Sequence, residues 1–204
     1  MVLIQNGLNI EKPLNKAYPF IPILSGVSMI GSEETAPGVI VQDDKDRLLV
    51  GAFDSPKIHA PLAISRAKDF VNIYGAGQKT DVKYSENVAH DRWRKLVYNA
   101  CLNPICAITG LDTGRIRLAD GAVEGLVRPA MREIVEAAKA NGVELADDVV
   151  ESMIEVDPLE LYLSPSMLAD VRKVRASSLF TNHSFHVCGS YLSYEMELMA
   201  LLVY

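Results

Sequence analysis

The sequence predicts an α/β layer over residues 1–84, followed by an all-helical region over residues 85–204. Before residue 84, short β-rich runs alternate with Pro, Gly and acidic turns, and two segments have helical spacing. After residue 84, the apolar residues recur mainly at helical spacing. The 204 residues are 49% apolar and 23% charged, so the chain can bury a core and wholesale disorder is excluded.

Strands are predicted where apolar, β-branched runs end in turn residues. The first covers residues 2–5 and is closed by Asn6-Gly7, and further β-rich runs cover residues 21–30, 38–42, 47–51 and 81–84. Helices are predicted over residues 10–17 and 61–74, and the second stops at the glycines of Gly75-Ala76-Gly77. Strands mixed with helices in this way indicate part of an α/β layer.

A long helix is predicted over residues 85–109, with Ser85 as its N-cap and Glu86 in its first turn. Pro104 lies inside this helix and has no N–H for the carbonyl of Ala100, so we expect a bend there. Further helices are predicted over residues 122–141, 147–155 and 166–174, with residues 190–204 as another candidate.

Charge and composition exclude several classes of protein. With 26 acidic and 20 basic residues the net charge is −6, and the largest basic cluster is Arg92, Arg94 and Lys95, so no nucleic-acid partner is expected. No apolar run approaches the roughly 20 residues of a membrane span, and the N-terminus lacks a signal-peptide pattern. Three cysteines without metal-type spacing favour a reducing compartment. We therefore expect a soluble, cytoplasmic protein without a membrane partner.

The predicted long helix carries one polar strip among apolar residues. Lys95, Asn99 and Asn103 follow at intervals of four and fall within a sector of roughly 80°. Burying an ammonium and two amides without partners is costly, so something must satisfy them. Two interpretations stay open. In the first, the three side chains form an internal hydrogen-bond network, or the lysine reaches solvent. In the other, the strip lines a cleft that binds a small polar anion. In the second, desolvation lowers the pKa of a lysine, which can then act as a general acid.

Three motifs occur in order along the chain. They are Gln5-Asn6-Gly7, Trp93-x-Lys95-Leu-x-x-Asn99 with Asn103-Pro104, and Ser164-Pro-Ser166-Met167-Leu-x-Asp170-x-Arg172. Together they resemble the ketopantoate reductases (2-dehydropantoate 2-reductases), and the resemblance covers about residues 2–175. It implies the later half of a Rossmann-type domain followed by an all-α C-terminal domain like that of 6-phosphogluconate dehydrogenase.

The resemblance also implies a reaction and substrate contacts. Members of the family use NADPH to reduce 2-dehydropantoate to pantoate, on the pathway to pantothenate and coenzyme A, in a cleft between their two domains. By resemblance, Lys95 would protonate the ketone oxygen as hydride reaches the adjacent carbon. Asn99 and Asn103 would hold the polar groups of the substrate, and Ser166 would contact its carboxylate end.

Two residues of the α/β layer are implied contacts of the NADPH cofactor. Asn6, at the end of its strand, would lie beside the nicotinamide ribose and the substrate, and Ser32 falls near another cofactor contact of the family. The implied partners are a small 2-keto acid and, as an assembly, a homodimer. No metal is expected: His183, His186 and Cys188 lie close together, but without a second Cys/His pair they indicate a solvated loop.

The sequence departs from the family pattern at three places. The opening strand and its Gly-x-Gly-x-x-Gly turn are absent, and the segment from Gly75 to Thr80 differs from that turn in its last position. Ser178 stands where the family usually carries a glutamate that touches the cofactor, and the tail over residues 177–204 diverges. These departures favour an incomplete or inactive copy. The alternative is a non-catalytic helical module that self-associates or pairs with a full-length paralogue.

Overall fold

The computed structural model describes residues 1–42 and 44–178, and the chain divides into two compact units. The first unit runs from Met1 to Arg92 and is an α/β layer, whereas the second begins at Trp93 and its described part is helical. The two compact units divide between Arg92 and Trp93. The domain boundary that the sequence places near residue 84 stays a prediction. The predicted helix over residues 190–204 and the segment from His183 to Cys188 lie outside the described residues.

The first unit contains six strands: β1 (Val2–Leu3), β2 (Leu24–Ser28), β3 (Ser32–Ala36), β4 (Val39–Gln42), β5 (Asp46–Ala52) and β6 (Thr80–Tyr84). Four of them form a mixed sheet in the order β1-β2-β5-β6. The outer pairs β1–β2 and β5–β6 are parallel, and the central pair β2–β5 is antiparallel. The buried β2 and β5 therefore form the centre of the sheet.

Strands β3 and β4 form a separate antiparallel hairpin whose residues are all exposed. The turn between them contains Pro37 and Gly38, and Gly38 has φ 74°, a left-handed conformation that favours glycine. Only β4 was predicted. Strand β3 was not predicted, because a strand without a buried face shows no alternation of apolar and polar residues, and β3 contains the acidic pair Glu33 and Glu34.

Two helices complete the first unit: α1 (Glu11–Ala17) and α2 (Ala60–Gly75). Ala63 and Ala67 are four residues apart, so they lie on one face of α2, and both are buried. This helix packs against β2, β5 and β6. The core below it contains Leu24, Leu48 and Val50.

The remaining helices are α3 (Val88–Asn99), α4 (Leu102–Thr109), α5 (Thr113–Leu118), α6 (Arg128–Ala140), α7 (Val149–Ile154) and α8 (Ser166–Ser178). A π-helical turn covers Val123–Val127, and a short 3-10 helix covers Leu159–Leu161. In the second unit α4 packs against α5 and α8, and α6 packs against α7. None of the helices in the described part of the chain is both long enough and apolar enough to span a membrane.

The predicted single helix over residues 85–109 is wrong in two respects. It begins at Val88, where the side-chain oxygen of Asn87 accepts a hydrogen bond from the His90 amide at 3.1 Å, so Asn87 replaces Ser85 as the cap. It is also interrupted, because α3 ends at Asn99 and α4 begins at Leu102. Pro104 thereby falls in the first turn of α4, where its missing N–H leaves no helical bond unmade.

The predicted helix over residues 122–141 is also divided. The amide of Arg128 donates to the carbonyl of Val123, five residues back, which defines the π-helical turn before α6. Pro129 has no N–H for the carbonyl of Gly125, so the chain widens locally to pass this position. Helix α5 and the 3-10 helix were not predicted.

Replacing Gly51 by alanine tests the packing of β5. A Cβ at this position would lie 2.7 Å from Val88 Cβ and 2.8 Å from the Ser85 carbonyl oxygen, closer than packed atoms allow. We expect Gly51→Ala to lower the free energy of unfolding in urea by about 1–3 kcal/mol. Gly77→Ala is the matched control, because no atom lies within 4 Å of its Cβ. Equal stability of the two variants would contradict the described packing.

The buried cysteines of the second unit should be unreactive. Burial, together with repulsion from nearby carboxylates, raises the pKa of Cys101 and of Cys106 to about 12. At pH 8 about one part in 10⁴ of each thiol is then ionised, and only the thiolate is the nucleophile. Iodoacetamide at pH 8 should leave both unmodified in peptide mass spectra until urea unfolds the chain. Fast alkylation of either in the native protein would contradict this.

Candidate active site

Three of the predicted site residues lie on α3 and α4. Lys95 and Asn99 are four residues apart on α3, so they share one face of that helix, and both are half-buried. Asn103 lies in the first turn of α4 and is 3% exposed. The predicted straight strip is therefore divided over two consecutive helices, and a two-residue turn separates Asn99 from α4.

Asn103 carries the one buried side-chain atom of the described residues that has no hydrogen-bond partner. That atom is the amide oxygen Oδ1. An unsatisfied buried acceptor costs about 1–3 kcal/mol, and most such groups in native proteins have a partner. A retained acceptor of this kind indicates a missing donor, which a bound hydroxyl or ammonium group would supply. This atom is the strongest sign of a ligand site in the second unit.

Two neighbouring residues anchor the second half of α3. Arg94 donates to Ser152 Oγ at 3.2 Å, and the Tyr98 hydroxyl donates to Asp157 Oδ2 at 2.6 Å. Burial and the Asp157 carboxylate raise the pKa of Tyr98, so the phenol keeps its proton. Arg94 and Tyr98 directly precede Lys95 and Asn99, so their contacts fix the helix face beside these residues. Sequence reasoning missed both anchors, because their partners are more than fifty residues away.

Ser166 is the first residue of α8 and is exposed. Arg172, one of the motif residues on the same helix, donates to Ser164 Oγ at 2.6 Å and to the Gly110 carbonyl at 3.1 Å. Gly110 ends α4 with φ 75°. Arg172 therefore connects the end of the helix that carries Asn103 to the segment that leads into Ser166.

The two predicted cofactor contacts lie apart in the first unit. Asn6 is exposed and follows β1, in a turn that Gly7 completes with φ 102°. Ser32 is exposed and is the first residue of β3, in the hairpin outside the four-stranded sheet. Their roles stay predictions; Asn6 follows the main-sheet strand β1 but is separated from its end by Ile4 and Gln5.

A buried charged cluster adjoins Asn6, and sequence reasoning missed it. Arg92, Glu11 and Ser25 are all buried, and Arg92 Nε lies 2.8 Å from Glu11 Oε1 and 2.6 Å from Ser25 Oγ. The Ser25 hydroxyl in turn donates to Glu11 Oε1 at 2.5 Å. Burial lowers the pKa of Arg92, an effect that the Glu11 carboxylate opposes. In the sequence Arg92 belonged to a short basic group, which is typical of an exposed surface.

The guanidinium of Arg92 also binds four backbone carbonyls. Its Nη1 donates to the carbonyls of Gln5 and Gly7 at 3.0 and 2.9 Å, on either side of Asn6. Its Nη2 donates to the carbonyls of Leu3 and Gly26 at 3.4 and 3.1 Å. The cluster therefore holds the end of β1, the middle of β2 and the turn that carries Asn6.

The segment from Gly75 to Thr80 joins the end of α2 to the start of β6. A dinucleotide-binding turn has the opposite order, because it leads from a strand into a helix whose N-terminus faces the pyrophosphate. This glycine-containing segment is therefore a loop that connects a helix to a strand. Ser178, at the end of α8, has no described side-chain surroundings.

Comparison with protein families matches both parts of the chain to one family. Residues 1–55 match the family described as ketopantoate reductase PanE/ApbA, and residues 87–179 match ketopantoate reductase PanE/ApbA C terminal. An uncharacterized protein of Saccharomyces cerevisiae is 34% identical over 182 residues, which cover 85% of this chain and 50% of that protein. The chain spans about half the length of the curated relatives it matches.

Solved structures agree in fold. The crystal structure of 2-dehydropantoate 2-reductase from Methylococcus capsulatus has a TM-score of 0.69 and 31% identity, and the match covers 98% of this chain and 64% of that one. D-mandelate dehydrogenase in complex with NADH has a TM-score of 0.73, covering 84% of this chain and 56% of that one, and at 20% identity it shows the fold alone. The predicted partial Rossmann-type layer with an all-α C-terminal part is confirmed. The chain belongs to the ketopantoate reductase family.

Proposed function

We propose that the chain supplies the keto-acid-binding and proton-donating residues of an NADPH-dependent 2-dehydropantoate 2-reductase. The unpartnered, buried Oδ1 of Asn103 is the observation that carries this proposal. A 2-keto acid that also bears a hydroxyl group offers the donor that this atom lacks. 2-Dehydropantoate has such a group, a hydroxyl on its fourth carbon.

The described residues fit the keto acid and not the phosphates of a dinucleotide. The glycine-containing segment from Gly75 to Thr80 leads from a helix into a strand, so its amides do not form the phosphate turn. We therefore assign no step to phosphate binding by these residues. When bound, reduced nicotinamide supplies a hydride to the carbon of the keto group. Asn6 and Ser32 remain the proposed contacts of that cofactor.

The proton-transfer step is assigned to Lys95. Its ammonium group donates a hydrogen bond to the ketone oxygen, on which negative charge develops as the carbonyl is reduced. The proton then moves from Nζ to that oxygen, which leaves a neutral amine and the product hydroxyl. Asn99 binds the keto-acid portion through its amide, Asn103 accepts from the substrate hydroxyl, and Ser166 donates to the carboxylate. The anchors Arg94 and Tyr98 keep this helix face in place.

Exposed apolar side chains favour a second candidate function, the self-associating module. Ile73 on α2 and Ile108 on α4 are 75% and 82% exposed, and Phe20 is 74% exposed. Contiguous exposed apolar surface is typical of association sites. A homodimer is compatible with both candidates, so light scattering alone does not separate them. Self-association without binding of NADPH or 2-dehydropantoate would support the module over the reductase.

Replacing Asn103 by leucine should separate ligand binding from stability. The substitution removes an unsatisfied buried acceptor, so we expect an unchanged or higher Tm in calorimetry. Affinity for 2-dehydropantoate, measured by titration calorimetry, should fall about tenfold to a hundredfold, because the substrate hydroxyl loses its acceptor. In the unaltered chain, 3,3-dimethyl-2-oxobutanoate, which lacks that hydroxyl, should bind more weakly by the same factor. A lower Tm with unchanged affinity would make Asn103 a structural residue.

Replacing Lys95 by alanine tests the proton donor. We expect Lys95→Ala to slow NADPH oxidation with 2-dehydropantoate by roughly 10²–10⁴-fold, because the ketone oxygen loses its acid. Lys139→Ala is the control, since Lys139 is an exposed lysine in the last turn of α6. Equal rates for both variants would remove Lys95 from the mechanism. No turnover and no binding of 2-dehydropantoate by the unaltered chain would refute the proposed function.

A further inference from the structure

We infer that Arg92 is a positioning residue whose buried guanidinium holds the Gln5–Gly7 backbone, and with it Asn6, in the orientation used in keto-acid reduction. This inference rests on the proposed function, because it concerns how one proposed contact residue is held. Arg92 itself is buried and its described contacts are all with Glu11, Ser25 and backbone carbonyls. It therefore acts through Asn6 and is not a catalytic residue.

Arg92 contacts the backbone on both sides of Asn6. A single nitrogen, Nη1, donates to the carbonyls of the residues immediately before and after Asn6, at 3.0 and 2.9 Å. The peptide unit before Asn6 and the peptide unit after Gly7 are thus held from the buried side, while Asn6 itself is exposed. The turn also needs Gly7, whose φ of 102° few other residues adopt. The backbone is therefore held on both sides of Asn6, and Asn6 itself lies at the surface.

The Arg92 guanidinium is itself held in one orientation. Nε lies against Glu11 and Ser25, and Nη2 binds the carbonyls of Leu3 and Gly26. A planar guanidinium with all three nitrogens engaged cannot rotate without breaking several bonds at once. Leu3 and Gly26 belong to paired strands, so Arg92 connects the turn at Asn6 to the sheet and restricts its motion.

The contacts at position 92 require an arginine rather than a lysine. A lysine in place of Arg92 would keep the positive charge beside Glu11, but an ammonium group is a point donor at the end of a flexible chain. It cannot serve Glu11, two strand carbonyls and the two carbonyls around Asn6 at the same time. Arg92→Lys therefore removes the hold on the turn while leaving the buried charge compensated.

Nuclear magnetic relaxation of the ¹⁵N-labelled chain tests the hold without any ligand. In Arg92→Lys we expect the amide order parameters of Asn6 and Gly7 to fall from about 0.85 to below about 0.6. Ser25→Ala is the matched control, because it removes a side-chain bond to the same guanidinium but leaves Nη1 on both carbonyls. A rigid turn in Arg92→Lys, or the same loosening in Ser25→Ala, overturns the inference.

A double-mutant cycle in the reductase assay tests the route through Asn6. We expect Arg92→Lys to lower kcat/KM for 2-dehydropantoate about a hundredfold, because small misplacements of contact groups have effects of that size. In an Asn6→Ala background the same change should have no further effect, since the residue that Arg92 positions is already lost. Additive losses would show that Arg92 acts by another path and would overturn the inference.

A second variant covers the case in which Arg92→Lys does not fold, and substrate-free measurements separate failure of this inference from failure of the proposed function. If Arg92→Lys does not fold, the pair Arg92→Met with Glu11→Gln removes both charges together, which buried pairs tolerate better than loss of one partner. The same order parameters and cycle then decide. No turnover and no binding of 2-dehydropantoate by the unaltered chain would refute the proposed function, whereas a loosened turn in Arg92→Lys would still be seen without any substrate.

Discussion

The buried ion pair between Arg92 and Glu11 is the contact on which the first unit depends most. Taking both charges out of water is costly, and the cost is offset because the remaining donors and acceptors of the pair are satisfied by Ser25 and by backbone carbonyls. Removing one partner of such a pair typically costs about 3–5 kcal/mol. The same guanidinium contacts the end of β1, the middle of β2 and the Asn6 turn, and Glu11 belongs to α1, so one group connects these four segments.

In the second unit, prolines decide where helices stop and restart. Pro104 falls in the first turn of α4, and Pro129 follows a π-helical turn that shifts the hydrogen bonding by one residue. The first of these breaks places Asn103 on a different helix from Lys95 and Asn99. An amide that a straight helix would place in line is instead buried in α4 with an unpartnered oxygen.

The buried amide of Asn103, a proposed substrate contact, has a cost in stability. Asn103 keeps a buried acceptor unsatisfied in the described structure, at a cost in folding free energy that an apolar residue would avoid. Elsewhere in the second unit, Tyr98 and Arg172 form hydrogen bonds with protein partners. One unsatisfied group among satisfied neighbours is typical of a binding site, because the ligand supplies the missing partner.

The amino-acid sequence by itself determined the fold class, the family and most of the elements, because local periodicity and turn residues act over short distances. It also placed Lys95 and Asn99 on one helix face, since four-residue spacing is a local property. The cap at Asn87, the interruption before α4 and the buried position of Arg92 required the tertiary structure. Glu11 and Arg92 are 81 positions apart, and no periodicity in a single sequence joins residues at that separation. Only the tertiary structure shows that Arg92 is buried and binds the backbone around Asn6. The reason is that an arginine can be buried only where distant groups in the sequence satisfy its charge.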